Sequence, residues 1–167
     1  EPSAYDVKDF HPPIILELNI NNGVGLVLTK EDLSMNTLFE SKKIEMEYGI
    51  FIEEESKNKK SKVVNSFDKM VMEETISQLA GIKILNTYNE ILYWAKNTKL
   101  NKVIFPYETI GNELLNKREL IDKLSEAKIE PIFFMREWDR FAFPFANKGF
   151  FPFKKKIPYL LDVNNLT

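Results

Sequence analysis

The sequence contains no cysteine and a single histidine in 167 residues. The missing cysteine excludes disulfide bonds, thiolate zinc sites and cysteine nucleophiles. His11 stands beside Pro12 and Pro13, so neither a histidine-based catalytic triad nor a histidine-rich metal site is expected. The glycine-rich GxxxxGK segment that binds phosphate groups is also missing. We therefore assign no catalytic residues and no metal ligands to this chain.

A large net charge and long apolar runs are lacking as well. The 23 Lys and Arg residues nearly balance the 25 Asp and Glu residues, which leaves a net charge of −2. Without a general positive field, nucleic-acid binding by this chain alone is not expected. No segment approaches the roughly 18 apolar residues of a membrane span, and Glu1–Ala4 do not resemble a signal peptide. We expect a cytoplasmic, soluble protein without membrane contact. Because the sequence does not begin with Met, whether it is a piece of a longer protein stays open.

The composition, with 44% hydrophobic and 29% charged residues, is typical of one globular domain. Along the chain, segments with the apolar spacing of strands alternate with segments that have the apolar spacing of helices. Period-two or uniformly apolar segments predict five strands, at Val24–Thr29, Ile44–Ile52, Ile82–Leu85, Lys102–Phe105 and Glu130–Met135. Helical spacing predicts helices at Glu31–Glu40, Ser66–Leu79, Asn89–Asn97 and Asn112–Lys128, with Ser66 as an N-cap and Gly81 as a stop signal.

This order of elements predicts an α/β fold. Strands that alternate with helices through short loops form βαβ units, so we expect a doubly wound, Rossmann-like, mostly parallel five-stranded sheet with helices on both faces. An additional N-terminal β-hairpin is predicted, because Asn21-Asn22-Gly23 is a turn signal between the apolar segments Ile14–Ile20 and Val24–Thr29. We divide the chain into an extended lead-in of residues 1–13, an α/β core of residues 14–135 and a C-terminal segment of residues 136–167.

The C-terminal segment is unusually aromatic. Ten of the 27 residues Phe133–Tyr159 are Phe, Trp or Tyr, against 21 in the whole chain. Pro144, Pro152 and Pro158 exclude a long helix or a central strand, so we expect a loop whose rings are buried. Residues 140–167 hold five basic residues and one acidic residue, a net charge of +4 that leaves −6 for residues 1–139. Three interpretations stay open: packing on the core or a partner, stacking on a small ligand, and binding of single-stranded nucleic acid.

Several segments together resemble one known family. Leu26–Leu33 (LVLTKEDL) is similar to the family's opening strand and the turn after it, although Ser34 stands where the family has an arginine. Lys102–Tyr107 (KVIFPY) is similar to a later strand with its tyrosine-containing loop, and Lys148–Lys154 (KGFFPFK) to the segment that leaves the domain. The family is that of the DNA photolyases and cryptochromes, and the resemblance is to its N-terminal, antenna-binding α/β domain.

The resemblance implies a function and a location for the site. Ligands of doubly wound folds bind beyond the carboxyl ends of the strands, where the direction of winding reverses. Together with the resemblance, this predicts a cofactor-binding site at five residues: Thr29, Asp32, Tyr107, Glu108 and Trp138. The expected function is a small-molecule-binding module for an antenna chromophore, such as a pterin or a deazaflavin, or for a nucleotide-like ligand.

The resemblance also implies what this chain does not do by itself. In that family the flavin, the DNA groove and DNA repair catalysis belong to a separate helical domain. We therefore expect no flavin and no repair activity in this chain alone, and a helical flavin domain of a longer protein is an expected partner. The alternative function is an interaction or structural domain that docks a partner through its aromatic C-terminal segment.

Overall fold

A computed structural model describes residues 23–30, 32–34, 36–40, 45–52, 62–107 and 114–163. These residues fall into two compact units, 23–133 and 134–163. The predicted strand Ile14–Ile20 and the predicted site residue Glu108 lie outside them. None of the helices in these ranges is long and apolar enough to cross a bilayer.

The first unit is built on one sheet. Its strands are β1 (Val24–Leu28), β2 (Glu47–Phe51), β3 (Lys83–Leu85), β4 (Lys102–Pro106) and β5 (Glu130–Phe134), in the order β3-β2-β1-β4-β5. β1 is parallel to both β2 and β4, and β2 is parallel to β3. The chain thus starts in the middle of the sheet, builds towards one edge and then crosses back to build the other. This confirms the predicted doubly wound α/β fold.

The central position of β1 bears on the predicted N-terminal hairpin. Because β2 and β4 occupy both edges of β1, no edge of this strand is free for an antiparallel neighbour. A hairpin between β1 and the segment before it is therefore wrong. Gly23 does have a φ of +89°, which suits the turn signal found there.

Four helices belong to this unit: α1 (Thr37–Glu40), α2 (Lys62–Gln78), α3 (Tyr88–Asn97) and α4 (Leu114–Glu126). Right-handed crossovers place α1 and α2 on one face of the sheet and α3 and α4 on the other. All five residues of β1 are buried, as expected for a strand that is covered on both faces.

Two helices, α1 and α2, begin four or more residues away from their predicted starts. α1 begins at Thr37 instead of Glu31, and the chain first makes a turn in which the N–H of Asp32 donates to the carbonyl of Thr29 at 3.0 Å. α2 begins at Lys62, so Ser66 lies inside the helix and is not its N-cap. The stop signal is confirmed, because α2 ends at Gln78 and Gly81 follows with a φ of +77°.

The core between the sheet and α3 depends on two glycines. A Cβ on Gly25 would lie 2.6 Å from Trp94 Cη2 and 2.5 Å from Leu100 Cδ1, and a Cβ on Gly49 would lie 2.7 Å from Leu85 Cδ1. Gly25 and Gly49 lie on neighbouring strands and leave room against the backbone of the sheet, Gly25 for the indole of Trp94 and Gly49 for the side chain of Leu85. Trp94 joins a buried cluster that extends to Leu120 on α4.

The second unit is helical, which corrects the prediction of a loop. It contains α5 (Glu137–Ala142), a 3₁₀ helix (Phe143–Lys148), α6 (Phe150–Lys154) and α7 (Ile157–Val163). Pro144, Pro152 and Pro158 each fall in the first turn of one of these short helices. A proline there breaks no helical hydrogen bond, because the first N–H groups of a helix have no partner in it. The prolines therefore limit helix length without excluding helices.

Candidate functional site

The predicted site lies where the sheet changes its direction of winding, between β1 and β4. Leu26 of β1 pairs with Ile104 of β4. Continuing this register by three residues places Thr29 beside Tyr107, directly after the two strands. Side chains alternate between the faces of a sheet, so Thr29 and Tyr107 share the face on which Val27 joins the core of α3 and α4.

Thr29 is buried, with 5% of its surface exposed, and its hydroxyl Oγ1 has no hydrogen-bond partner among the described residues. A buried hydroxyl without a partner costs about 1–3 kcal/mol, so native proteins rarely retain one. Its position at the carboxyl edge of a doubly wound sheet is one where such folds bind ligands. Among the residues of this site, Thr29 is therefore the one at which an additional hydrogen-bonding group is most strongly expected.

Asp32 shapes the turn that follows β1. Its carboxylate accepts a hydrogen bond from the N–H of Ser34 at 3.2 Å, and its own N–H donates to the carbonyl of Thr29. These contacts fix the backbone next to the unpaired hydroxyl of Thr29. Asp32 thus lies at the predicted site, where its hydrogen bonds stabilise the conformation of the turn.

Tyr107 is half-buried at the end of β4, and burial raises the pKa of its phenol above the usual 10.0. The phenol is therefore neutral at physiological pH and can both donate and accept a hydrogen bond. The structure brings Thr29, Asp32 and Tyr107 to one edge of the first unit. Trp138 lies half-buried on α5 in the second unit.

Two aromatic residues at this edge were not among the predicted site residues. Leu28 pairs with Ile50, so the register of β1 and β2 places Phe51 beside Thr29 on the side away from Tyr107. The ring of Phe51 stacks on Tyr88, at the start of α3, with 5.0 Å between the centroids and 22° between the planes. The sequence placed Asn86–Tyr88 at a strand end, but nothing in it showed that Phe51 and Tyr88 would stack.

Tyr88 also lines a cleft of about 240 Å³ between the start of α3 and the middle of α4. The lining residues are Thr87, Tyr88, Asn89, Glu119, Leu120 and Lys123. Lys123 Nζ lies 2.7 Å from the carboxylate of Glu119, and this hydrogen bond lowers the pKa of Glu119. The cleft thus combines an aromatic ring, an amide and one charge of each sign.

The hydroxyl of Thr87 is already used within the cleft. Thr87 is the N-cap of α3 and accepts a hydrogen bond from the N–H of Glu90 at 3.2 Å, while the Glu90 carboxylate accepts from the N–H of Asn86 at 2.9 Å. These two bonds satisfy the N–H of Glu90 in the first turn of α3 and the N–H of Asn86 before the helix. The other lining residues take no part in this cap.

No group of three or more His, Asp or Glu side chains able to hold a metal ion is found in the described parts of the chain. A comparison of the sequence with profiles of known protein families finds no match, and a comparison with curated proteins finds no significant relative. The function is therefore inferred from the geometry of the site.

Proposed function

We propose that this chain is a small-molecule-binding module whose ligand lies at the carboxyl edge of the sheet, between β1 and β4. The observation that carries the proposal is the buried hydroxyl of Thr29, which has no hydrogen-bond partner among the described residues. A ligand atom that pairs with this hydroxyl would remove the cost of its burial. The register neighbour Tyr107 supplies a second, neutral hydrogen-bonding group at the same edge.

The chemistry of the edge favours a flat heterocycle with polar substituents. Phe51 and Tyr88 provide stacked aromatic rings, and Thr29 and Tyr107 provide hydroxyl groups. Pterins, deazaflavins and the bases of nucleotides combine a flat ring with donors and acceptors at its rim. These are the ligands that the resemblance to the antenna domain of photolyases and cryptochromes suggests, and the doubly wound fold is compatible with that family.

In this proposal the chain binds its ligand without carrying out DNA repair itself. Repair in the photolyase family depends on the flavin of a helical domain, and the residues that hold it have no counterpart that we can assign here. The function of the module is then to hold a chromophore or a nucleotide for a partner, which in that family would be the helical domain.

Thermal unfolding of the purified protein in the presence of pterins, deazaflavins and adenine nucleotides tests the proposal. A ligand at about a hundred times its Kd adds about 2.7 kcal/mol to stability, which corresponds to a rise of roughly 5–10 °C in Tm for a chain of this length. We expect a ligand from this panel to raise Tm and Thr29→Val to abolish most of the rise.

Thr75→Val is the matched control for this experiment. The hydroxyl of Thr75 lies on α2, away from the site, and donates to the carbonyl of Val71 at 3.0 Å. Its removal should leave the ligand-induced rise unchanged. If no compound of the panel raises Tm, or if the rise persists in Thr29→Val, the proposed function is wrong.

A further inference from the structure

The turn after β1 is the place where many doubly wound folds hold the phosphate groups of a nucleotide. They do so with backbone N–H groups of a glycine-rich turn at the start of the next helix. In this chain residues 29–36 contain no glycine, and the N–H groups of Asp32, Ser34 and Thr37 all donate within the turn. The helix that follows, α1, has only four residues. These N–H groups are therefore already used and are not available to a phosphate.

A carboxylate takes the place of an anionic ligand in this turn. Oδ1 of Asp32 accepts a hydrogen bond from the N–H of Ser34 at 3.2 Å and lies 3.5 Å from the hydroxyl of Ser34. The N–H of Asp32 in turn donates to the carbonyl of Thr29, the residue whose buried hydroxyl has no partner among the described residues. A ligand that pairs with this hydroxyl thus meets a negative charge in the adjoining turn, and that charge repels a second anion.

A second carboxylate lies at the start of α3. Leu85 pairs with Phe51, and the register of β1 and β2 places Phe51 beside Thr29, so the ends of three strands form one row. Neighbouring strands are about 4.8 Å apart, which puts Leu85 about 10 Å from Thr29. The carboxylate of Glu90 accepts from the N–H of Asn86, directly after Leu85, at 2.9 Å. A flat ring that lies across this row therefore extends from Thr29 towards a second negative charge.

The carboxyl edge as a whole has an excess of acidic residues. We count the four loops that follow β1, β2, β3 and β4, each with the first turn of the helix after it, which are residues 29–40, 52–65, 86–91 and 107–117. Their sequences hold six basic and nine acidic residues, a net charge of −3. The basic residues are concentrated after β2, whereas the loops after β1 and β4, which border the reversal of winding, hold two basic and five acidic residues. This balance disfavours a phosphate at the reversal.

We propose that the ligand of the carboxyl edge is a flat heterocycle without a phosphate group, and that Asp32 and Glu90 exclude phosphorylated ligands. The inference rests on the proposed function, because it concerns the ligand of that same site. The stacked rings and the unpaired hydroxyl at the edge suit an uncharged ring, whereas the two carboxylates repel the anion that a nucleotide carries. A pterin, a deazaflavin or a nucleoside meets this description, and a nucleotide does not.

Matched pairs of compounds test the exclusion on the original chain. Adenosine and adenosine monophosphate share their ring and ribose and differ by the phosphate, as do deazariboflavin and its phosphate ester. For a pair that binds, we expect isothermal titration calorimetry to give a Kd about tenfold or more lower for the phosphate-free member. The difference should shrink in about 1 M salt, because salt screens the repulsion. Thr29→Val should weaken both members, since they share the site.

Asp32→Asn and Glu90→Gln identify the carboxylates responsible. Each substitution keeps a side-chain oxygen that can accept the local hydrogen bond and removes one negative charge. We expect the double variant to bind the phosphorylated member about tenfold more tightly than the original chain does, and the phosphate-free member equally. Glu74→Gln is the control, because Glu74 lies on α2 and contacts the neutral amide of Gln78 at 3.2 Å. It should leave the preference unchanged.

The failure of this inference differs from the failure of the proposed function. If neither member of any pair binds, the proposed function is wrong, and the inference is wrong with it. If the ligands bind through Thr29 and the phosphorylated member binds as tightly as the other, the proposed function stands and the exclusion of phosphate is wrong. If the preference persists in a double variant that is folded by circular dichroism, the role given to Asp32 and Glu90 is wrong.

Discussion

Thr29 places a hydroxyl at a position where the described chain supplies no partner for it. Stability alone would favour an apolar side chain of the same shape, because a buried polar group without a hydrogen bond is costly. A residue that lowers the stability of the free protein at a ligand-binding edge is typical of functional sites. The cost of the hydroxyl can be measured by substituting Thr29 and comparing free energies of unfolding.

Thr29→Val should therefore stabilise the free protein. Valine has nearly the shape of threonine and removes the unpaired hydroxyl, so we expect the free energy of unfolding to rise by about 1 kcal/mol. Thr75→Val, which removes a hydroxyl that is hydrogen-bonded, should change it by no more than about 0.5 kcal/mol. Urea unfolding measures both values. A loss of stability in Thr29→Val would mean that the hydroxyl has a partner in the free protein.

The raised pKa of Tyr107 predicts how the free energy of unfolding changes at alkaline pH. Burial raises the pKa of its phenol in the folded state above 10.0, so the unfolded chain loses this proton first. Tyr107 therefore contributes a constant free energy to stability at pH values well below 10.0. This contribution is lost as the pH rises from 10.0 through the raised pKa of the folded state. Unfolding free energies measured across this range should fall less steeply in Tyr107→Phe than in the original chain. Equal slopes in both proteins would contradict the burial of the phenol.

At the scale of the elements, close packing explains two glycines in strands. Glycine weakens a strand, so it needs a local reason there. A Cβ on Gly25 would lie 2.6 Å from Trp94 of α3, and a Cβ on Gly49 would lie 2.7 Å from Leu85 of β3. The sequence shows these residues, but it does not show that they meet, because Gly25 and Trp94 are almost 70 positions apart in the chain.

Gly25→Ala should destabilise the protein through this contact. The new Cβ would lie within 2.6 Å of Trp94 Cη2, so we expect a loss of about 1–3 kcal/mol in the free energy of unfolding. Trp94→Phe removes the outer ring atoms and should reduce the effect of Gly25→Ala in the double variant. Denaturant unfolding of the four proteins measures this coupling. Additive effects of the two substitutions would show that the alanine does not meet the indole.

The caps of α2 and α3 offer a second test at this scale. Thr87 caps α3 with its hydroxyl, so Thr87→Ala should lower the free energy of unfolding by about 1 kcal/mol. Ser66→Ala should have little effect, because Ser66 lies inside α2, where alanine is the better helix former. Thermal unfolding compares the two variants. A larger loss in Ser66→Ala would mean that α2 begins at Ser66.

These elements show what local sequence patterns reveal. The apolar periods identified all five strands, because a strand of a two-sided parallel sheet is apolar over its whole length or on alternate residues. The sequence pattern misses the start of α2 because Ser66 is a residue type favoured at N-caps, whereas the first turn of the helix, with Val63 and Val64, is exposed and belongs to no buried stripe. The helices of the second unit were missed because proline was weighed against a long helix and not against several short ones.

At the scale of the first unit, the strand order fixes the point where the direction of winding changes. The chain builds outwards from β1 to β3 and then returns to β4, so the direction of winding reverses between β1 and β4, where doubly wound folds bind ligands. The sequence predicted this edge and the residues Thr29, Asp32 and Tyr107. It could not predict Phe51 or the cleft between α3 and α4, because these depend on register and helix packing.

The most direct test of the account is an NMR titration of the isotope-labelled protein with pterins, deazaflavins and adenine nucleotides. Because chemical shifts report contacts residue by residue, a ligand at the carboxyl edge should shift the amide signals of Thr29, Tyr88 and Tyr107. The signals of α2, on the opposite face of the sheet, should remain unchanged. Shifts confined to the second unit, or no shifts with any compound of the panel, would contradict the proposed site.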